Sequence, residues 1–291
     1  MNPVQLAACV RRTRTCQLAE AAPGPDFLIP GMAPISNRRT ISGCDTSYST
    51  PFQRRMVLSL LVFVTILVLA LPAALVLIPF TLVTRNVGPL YATGCFIVRI
   101  AIRVAGIRIR IEGREHIPSG RACIFMANHI SNLDAPALIA NLPGRTSVFL
   151  KRPLMKIPIL GYAFKLAAFI PVDRDGQAET AQLAVADGHS VLAGGLSITT
   201  FVEGTRSRDG HMLPFKKGPF YLAKESGAPC IPVSIYGTEK IIPWGSLRVH
   251  PGVAHVIFHP PIDPAAYSTR DELSDTIRAA IASPLPDWMR T

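Results

Sequence analysis

The chain has 291 residues, a positive mean hydropathy of +0.32, a formal net charge of +11 and a pI near 9.8. This length accommodates one large α/β domain with additions. A chain both apolar and basic suits work at an anionic membrane surface, where each nearby Lys or Arg adds about 1 kcal/mol of attraction. Nucleic acid is not an indicated partner, because the cations are scattered and no aromatic-interleaved basic stripe occurs. Cys9, Cys16, Cys44, Cys95, Cys123 and Cys230 include no Cys-x-x-Cys pair, so no zinc pattern is present, and a chain this long needs no disulfide framework. Cys123 and Cys230 sit in strand-like apolar runs and read as buried small hydrophobes in a reducing, cytosol-facing domain.

Residues 1–51, rich in Pro, Gly, Ser, Thr and Arg, read as a disordered basic tail. They do not form a secretory signal, since no short apolar core and cleavage site follows the charged part at once. Met56 is an alternative start. Residues 56–83 carry no charge; as a helix this run of about 28 residues would reach roughly 42 Å, against a hydrocarbon core of about 30 Å. It is expected to insert into a membrane. Pro72 and Pro79 leave both one tilted span and a shallow re-entrant hairpin open, and Arg54, Arg55 and Arg85 flank both ends too evenly to orient it. Residues 94–106, with Arg99 and Arg103 on one helical face, suggest an interfacial helix. Residues 52–106 thus form a membrane segment and residues 107–291 a catalytic domain.

In that domain short strands alternate with helices. Strands are expected at 107–111, 122–126, 146–150, 169–172, 197–202, 230–236 and 254–258, and helices near 134–141, 159–168, 178–193, 218–226 and 269–282. This alternation predicts an α/β fold, an open, mostly parallel sheet with helices on both faces, preceded by the membrane-inserted helical segment. Ligands in such sheets collect beyond the carboxyl ends of the strands. Four strand ends are unusually polar: Asn128-His129, Lys151-Arg152, Asp173-Arg174 and Glu203-Gly204-Thr205-Arg206.

His129 stands at a strand-to-helix corner and Asp134 five residues on. On one continuous helix that offset is about 140°, so the pair meets only if His129 precedes the helix and Asp134 lies in its first turn. A carboxylate would then hold one imidazole nitrogen and leave the other free to take a proton. Ser131-x-x-Asp134 equally resembles a capping box, in which the Asp serves only backbone N–H groups. At the third corner Gly204 permits close backbone approach, Thr205 offers a hydroxyl and Arg206 a planar fork suited to phosphate; a polar turn with a surface Arg–Glu pair fits the same letters. Arg174 supplies a second guanidinium or pairs with Asp173 or Asp175. Ile231-Pro232-Val233 reads as a buried strand with an edge proline.

Taken in order, Asn-His-x-x-x-x-Asp, Phe-Ile-x-x-x-Arg, Phe-x-Glu-Gly-Thr-Arg-Ser and Ile-Pro-Val resemble the four blocks of the glycerolipid acyltransferases, above all the 1-acylglycerol-3-phosphate (lysophosphatidate) branch. The similarity runs from about Arg99 to Pro261. Val202 stands where the family usually has proline, and Ala167-Ala168 where glycine is common. The resemblance implies that His129 is the general base and that Asp134 orients it. The acceptor hydroxyl would then attack the thioester of acyl-CoA or acyl-carrier protein. It further implies that Glu203, Gly204, Thr205, Arg206 and Arg174 hold the glycerol phosphate, with Lys151 and Ser131 as further pocket candidates. No serine or cysteine nucleophile, metal or cofactor is implied.

The expected activity is acylation of lysophosphatidate to phosphatidate by a membrane enzyme whose catalytic domain faces the cytosol, with membrane lipids, lysophosphatidate and the acyl donor as partners. The alternatives are the same chemistry on a lyso-ornithine lipid, another lysophospholipid or glycerol 3-phosphate, and a non-catalytic protein that binds anionic lipid.

Overall fold

The computed structural model describes residues 51–173 and 178–290. Nearly all of the expected tail, and Arg174, therefore lie outside the described residues.

Helix α1 (Pro51–Thr84) is unbroken through Pro72 and Pro79, so the apolar run contains no re-entrant hairpin. Its stretch Met56–Thr84 has a mean hydropathy of 3.0, and the most apolar 18 residues of it include no buried residue, which makes it a candidate membrane span. After a three-residue link, α2 (Gly88–Val104) packs back along α1. It starts earlier than the sequence reading placed it, because Pro89 at its first turn fits a helix start. α2 docks on the domain: the Tyr91 hydroxyl accepts from Thr146 N, Arg99 Nε donates to Ala140 O at 2.7 Å, and Ile102 and Ala105 are buried. Arg99 therefore serves the open carboxyl end of a neighbouring helix, where a cation is favoured.

The domain holds seven strands: β1 (Ile107–Glu112), β2 (Ile124–Ala127), β3 (Thr146–Lys151), β4 (Ile170–Val172), β5 (Ser197–Phe201), β6 (Cys230–Tyr236) and β7 (Gly252–Phe258). Their order is β1-β7-β6-β2-β5-β3-β4. From β6 to β4 every pairing is parallel; β7 runs antiparallel to β6 and parallel to β1. Helices α3 (Asp134–Ile139), α4 (Leu160–Leu166), α5 (Ala178–Ala193), α6 (Gly218–Ser226), α7 (Thr238–Ile241), α8 (Arg270–Ala282) and α9 (Asp287–Arg290) complete the domain.

Both faces of the sheet are covered, as expected for an α/β fold whose central strands are continuous apolar runs. On one face Ile124, Met126 and Ile198 pack with Phe220 and Leu222 of α6 and with Leu273 and Ile277 of α8. On the other, Phe125, Ile231 and Val233 pack with Leu138 of α3. Each large aliphatic or aromatic group so buried contributes about 1.5–3 kcal/mol.

β6 is not an edge strand, which corrects the reading of Pro232. It lies between β2 and β7, with Pro232 opposite Met126. The proline is tolerated because its carbonyl accepts from His259 N on the β7 side, where β7 has already ended at Phe258. Its missing N–H falls in that gap in the ladder.

Candidate active site

The parallel strands β6, β2, β5, β3 and β4 end together, so the corners after them share one edge of the sheet. His129 follows β2 and precedes α3, whose first residue is Asp134. Asp134 Oδ2 lies 2.8 Å from His129 Nδ1. The same oxygen accepts the N–H groups of Ile130 and Ser131, each at 2.7 Å, and Oδ1 accepts the Thr238 hydroxyl at 2.6 Å. One carboxylate thus closes the turn and holds the imidazole, so the capping and orienting readings describe the same atoms. Because a carboxylate only accepts, Nδ1 carries the proton and Nε2 presents its lone pair. Asp134 is 0% and His129 13% exposed at the side chain, which leaves one ring edge reachable. Phe201 stacks on that ring at 4.1 Å.

Ser131 does not cap α3 in the expected way. Its hydroxyl donates to Ile242 O at 2.8 Å and accepts from Leu133 N, and the residue is fully buried, so it is not open to the cleft.

Glu203 turns inward as well. It is buried, with Oε1 accepting His129 N and Oε2 accepting Leu213 N, each at 2.9 Å. Burial pushes its carboxyl up to about 7, against the lowering effect of those two N–H groups and of the more distant Arg278. Both oxygens of this buried carboxyl are thus spent on backbone N–H groups. Ser207 N donates back to His129 O at 2.9 Å, closing the link between the β2 and β5 corners. Arg278 of α8 fixes the neighbouring loop by donating to Met212 O and Leu213 O.

The surface Arg–Glu pair is therefore not formed. Among the described residues no carboxylate pairs with Arg206, which is half-buried beside an exposed Thr205. Gly204 has φ +70°, and a Cβ there would meet Lys216 Cγ at 2.9 Å, so glycine satisfies both the backbone and the lysine lying across the turn. Lys151 is exposed at the end of β3, and Arg152 next to it pairs with Asp173 at 2.6 Å, which removes Asp173 from the set of carboxylates open to other cations.

The sequence places Asn128 only as a polar strand end and gives Thr238 no role. Asn128 is buried and exchanges two 2.8 Å hydrogen bonds with the Ile235 backbone, extending the β2–β6 ladder with a side chain. Thr238 opens α7 just after β6, a fifth polar corner whose signal, Gly237-Thr238 behind an apolar strand, was available. Cys123 and Cys230 are buried as expected; burial pushes their thiols up to about 11 and about 12, so neither is a ready nucleophile. A shallow hollow lined by Arg145, Ala168, Ser190 and Leu196 lies at the opposite end of the sheet, away from these groups.

The chain matches the family model described as Acyltransferase over residues 108–236, a range that contains both the His129–Asp134 pair and the 203–206 corner. It is 34% identical over 202 residues to a 1-acyl-sn-glycerol-3-phosphate acyltransferase of Limnanthes douglasii, covering 69% of this chain and 70% of that protein. The alpha form from Homo sapiens is 31% identical over 176 residues, 60% of this chain and 62% of the relative. The crystal structure of the 1-acyl-sn-glycerophosphate (LPA) acyltransferase PlsC from Thermotoga maritima superimposes with a TM-score of 0.68 at 26% identity, covering 79% of this chain and 95% of that one. The fold and these matches together define an O-acyltransferase. Within that class, the chain belongs to the 1-acyl-sn-glycerol-3-phosphate acyltransferase family.

Proposed function

We propose that the protein transfers a fatty acyl group from an acyl thioester to the free hydroxyl of 1-acylglycerol 3-phosphate, giving phosphatidate. The observation that carries this reading is the 2.8 Å contact between His129 Nδ1 and Asp134 Oδ2, one corner away from Arg206, with which no carboxylate among the described residues pairs. Nε2 of His129 removes the acceptor's hydroxyl proton as its oxygen attacks the thioester carbonyl. Asp134 stabilises the imidazolium that forms. The tetrahedral adduct collapses by breaking the C–S bond, and the imidazolium returns its proton to the departing thiolate. The nucleophile is the substrate's own oxygen, so the step asks for no cofactor, and acyl-CoA or acyl-carrier protein enters as substrate.

Arg206 receives the phosphate, with the Gly204–Thr205 turn, Lys151 and Arg174 as further contributors. A guanidinium fork suits a phosphate monoester better than a point charge does. Glu203 and Ser131 are positioning groups, since their polar atoms are spent on backbone partners. The apolar α1 holds the enzyme at the membrane that supplies its lipids, with the catalytic domain on the cytosolic side. Val202, the departure from the family's usual proline, is fully buried under the corner.

Purified protein offered lysophosphatidate, a lyso-ornithine lipid or glycerol 3-phosphate with one labelled acyl donor tests the acceptor. Turnover is expected to be fastest on lysophosphatidate. Preference for the zwitterionic lysolipid would overturn the phosphate role.

A further inference from the structure

β5 ends at Phe201, and β2 runs beside it with Ala127 opposite Phe201. His129 follows Ala127 by two residues. Along paired strands such a diagonal neighbour is about 7–8 Å away, within reach of an aromatic side chain, and Ala127 offers only a methyl in between. The phenyl of Phe201 takes that path. Its ring lies on the imidazole of His129 with centroids 4.1 Å apart and planes 25° from parallel. On its other side Phe201 packs against the apolar layer that contains Phe125, Leu138 and Val233. The residue is thus half-buried, one side in the core and one face on the general base.

The edges and faces of the imidazole are divided among different partners. Asp134 Oδ2 holds Nδ1 at 2.8 Å, and Nε2 is the edge turned to the acceptor. A single hydrogen bond on Nδ1 leaves the ring free to tilt about it; a second ring against its face removes that freedom. Core packing alone asks only for bulk, which a leucine would supply. A phenyl adds charge, because its face carries the negative side of a quadrupole and attracts a cation. His129 becomes a cation when it takes the hydroxyl proton, and at 13% exposure little water screens the two rings. The charged groups described around it are Asp134 from α3, acting on Nδ1, and Glu203 from the β5 corner, acting on the backbone N–H, with Arg206 further along that corner. The phenyl is therefore placed to act on the ring face while the two carboxyl groups act elsewhere.

We infer that Phe201 is a positioning residue of the reaction: its ring fixes the plane of the His129 imidazole and stabilises the imidazolium that forms there, as a second partner beside Asp134. Its part in turnover rests on the acyltransferase reading, whereas its effect on His129 is tested without turnover.

Ring fluorines withdraw charge from a phenyl face while nearly keeping its shape. Full-length protein in micelles, with Phe201 replaced by mono-, di- and trifluorophenylalanine and, separately, as Phe201→Leu, distinguishes charge from bulk. The chain has 7 histidines; with their rings isotope-labelled, the His129 resonance is the one lost in His129→Gln. The pH at which it titrates should fall with each added fluorine and lie about 0.4–1.5 pH units below wild type in Phe201→Leu, the scale of one cation–π contact. Above that transition kcat should fall in the same order, to about 2–30-fold below wild type, with acceptor KM little changed. Equal titration across the fluorinated series, or equal kcat in an active enzyme, would overturn the inference, because bulk alone would then account for the phenyl. A rise in acceptor KM at constant kcat would do the same. Wild type without acyl transfer, but with the titration trend retained, would count against the acyltransferase reading and leave the effect of Phe201 on His129 standing.

Discussion

Glu203 Oε1 accepts the backbone N–H of His129 at 2.9 Å, so the corner after β5 fixes the position of the imidazole carried after β2. Its other oxygen holds Leu213 N, in a loop that Arg278 also grips. This buried carboxyl has a pH signature. Burial raises it from the ordinary 4.5 to about 7, so between those values the folded protein keeps a proton that the unfolded chain releases. Its stabilising contribution is complete below about 4.5 and is lost as pH rises through about 7. Relative to Glu203→Gln, wild type should lose on the order of 3 kcal/mol across that window. Thermal unfolding in micelles across that range measures it; a difference that stays flat with pH contradicts the assignment.

Thr238 donates to Asp134 Oδ1 at 2.6 Å from a fully buried position. Thr238→Val keeps the shape and removes that bond to a charged group, worth roughly 1.5–3 kcal/mol. The expected result is a kcat lower by about tenfold or more with acceptor KM little changed, because the loss falls on a group that steadies the imidazolium. Steady-state kinetics decides; an effect confined to KM would show that Thr238 acts on binding instead.

Arg206→Ala should raise the acceptor KM by about 10–100-fold, the scale of one charge-assisted phosphate contact, and leave the acyl-donor KM near wild type. Arg206→Lys should recover part of the loss, since a point charge replaces the fork. A change in donor KM alone would remove Arg206 from the phosphate site.

Ala168 has φ +60°, a left-handed conformation at a place where the family commonly has glycine. That departure was visible in the sequence; the backbone gives its cost, about 1–2 kcal/mol for a residue with a Cβ. Ala168→Gly relieves this strain while giving back roughly 0.5–1 kcal/mol of chain entropy. The melting temperature should rise by a few degrees, with activity unchanged. A fall in melting temperature would mean that the alanine methyl contributes packing that outweighs the strain.

Much of this arrangement was legible in the chain, and the parts that were not share a cause. Helices 178–193 and 218–226 and strand 230–236 agree end to end with the expectation, because composition and local breakers set their limits. The parallel sense of the pairings from β6 to β4 followed from the strand–helix alternation, and the spacing of His129 and Asp134 allowed the contact that the fold makes. The reversal of β7, which puts Pro232 inside the sheet, had no local signal. The hydrogen-bond partners of Glu203, Asn128 and Thr238 were not legible because they lie 74, 107 and 104 residues away in sequence. The letters Glu-Gly-Thr-Arg show an acid beside a base, and only the tertiary fold shows that the acid faces inward while no carboxylate among the described residues pairs with the base.

The central claim is that His129, oriented by Asp134, removes the proton from a lysophosphatidate hydroxyl. Wild type and His129→Ala, purified alike and both bound to vesicles, are to be mixed with lysophosphatidate and labelled acyl-CoA or acyl-carrier protein, and the lipid products separated. Labelled phosphatidate should form with wild type and fall by about three orders of magnitude or more with the variant, as removal of a general base that acts as one unit with its partner requires. Equal phosphatidate from both proteins, or none from wild type with either donor, would contradict the account.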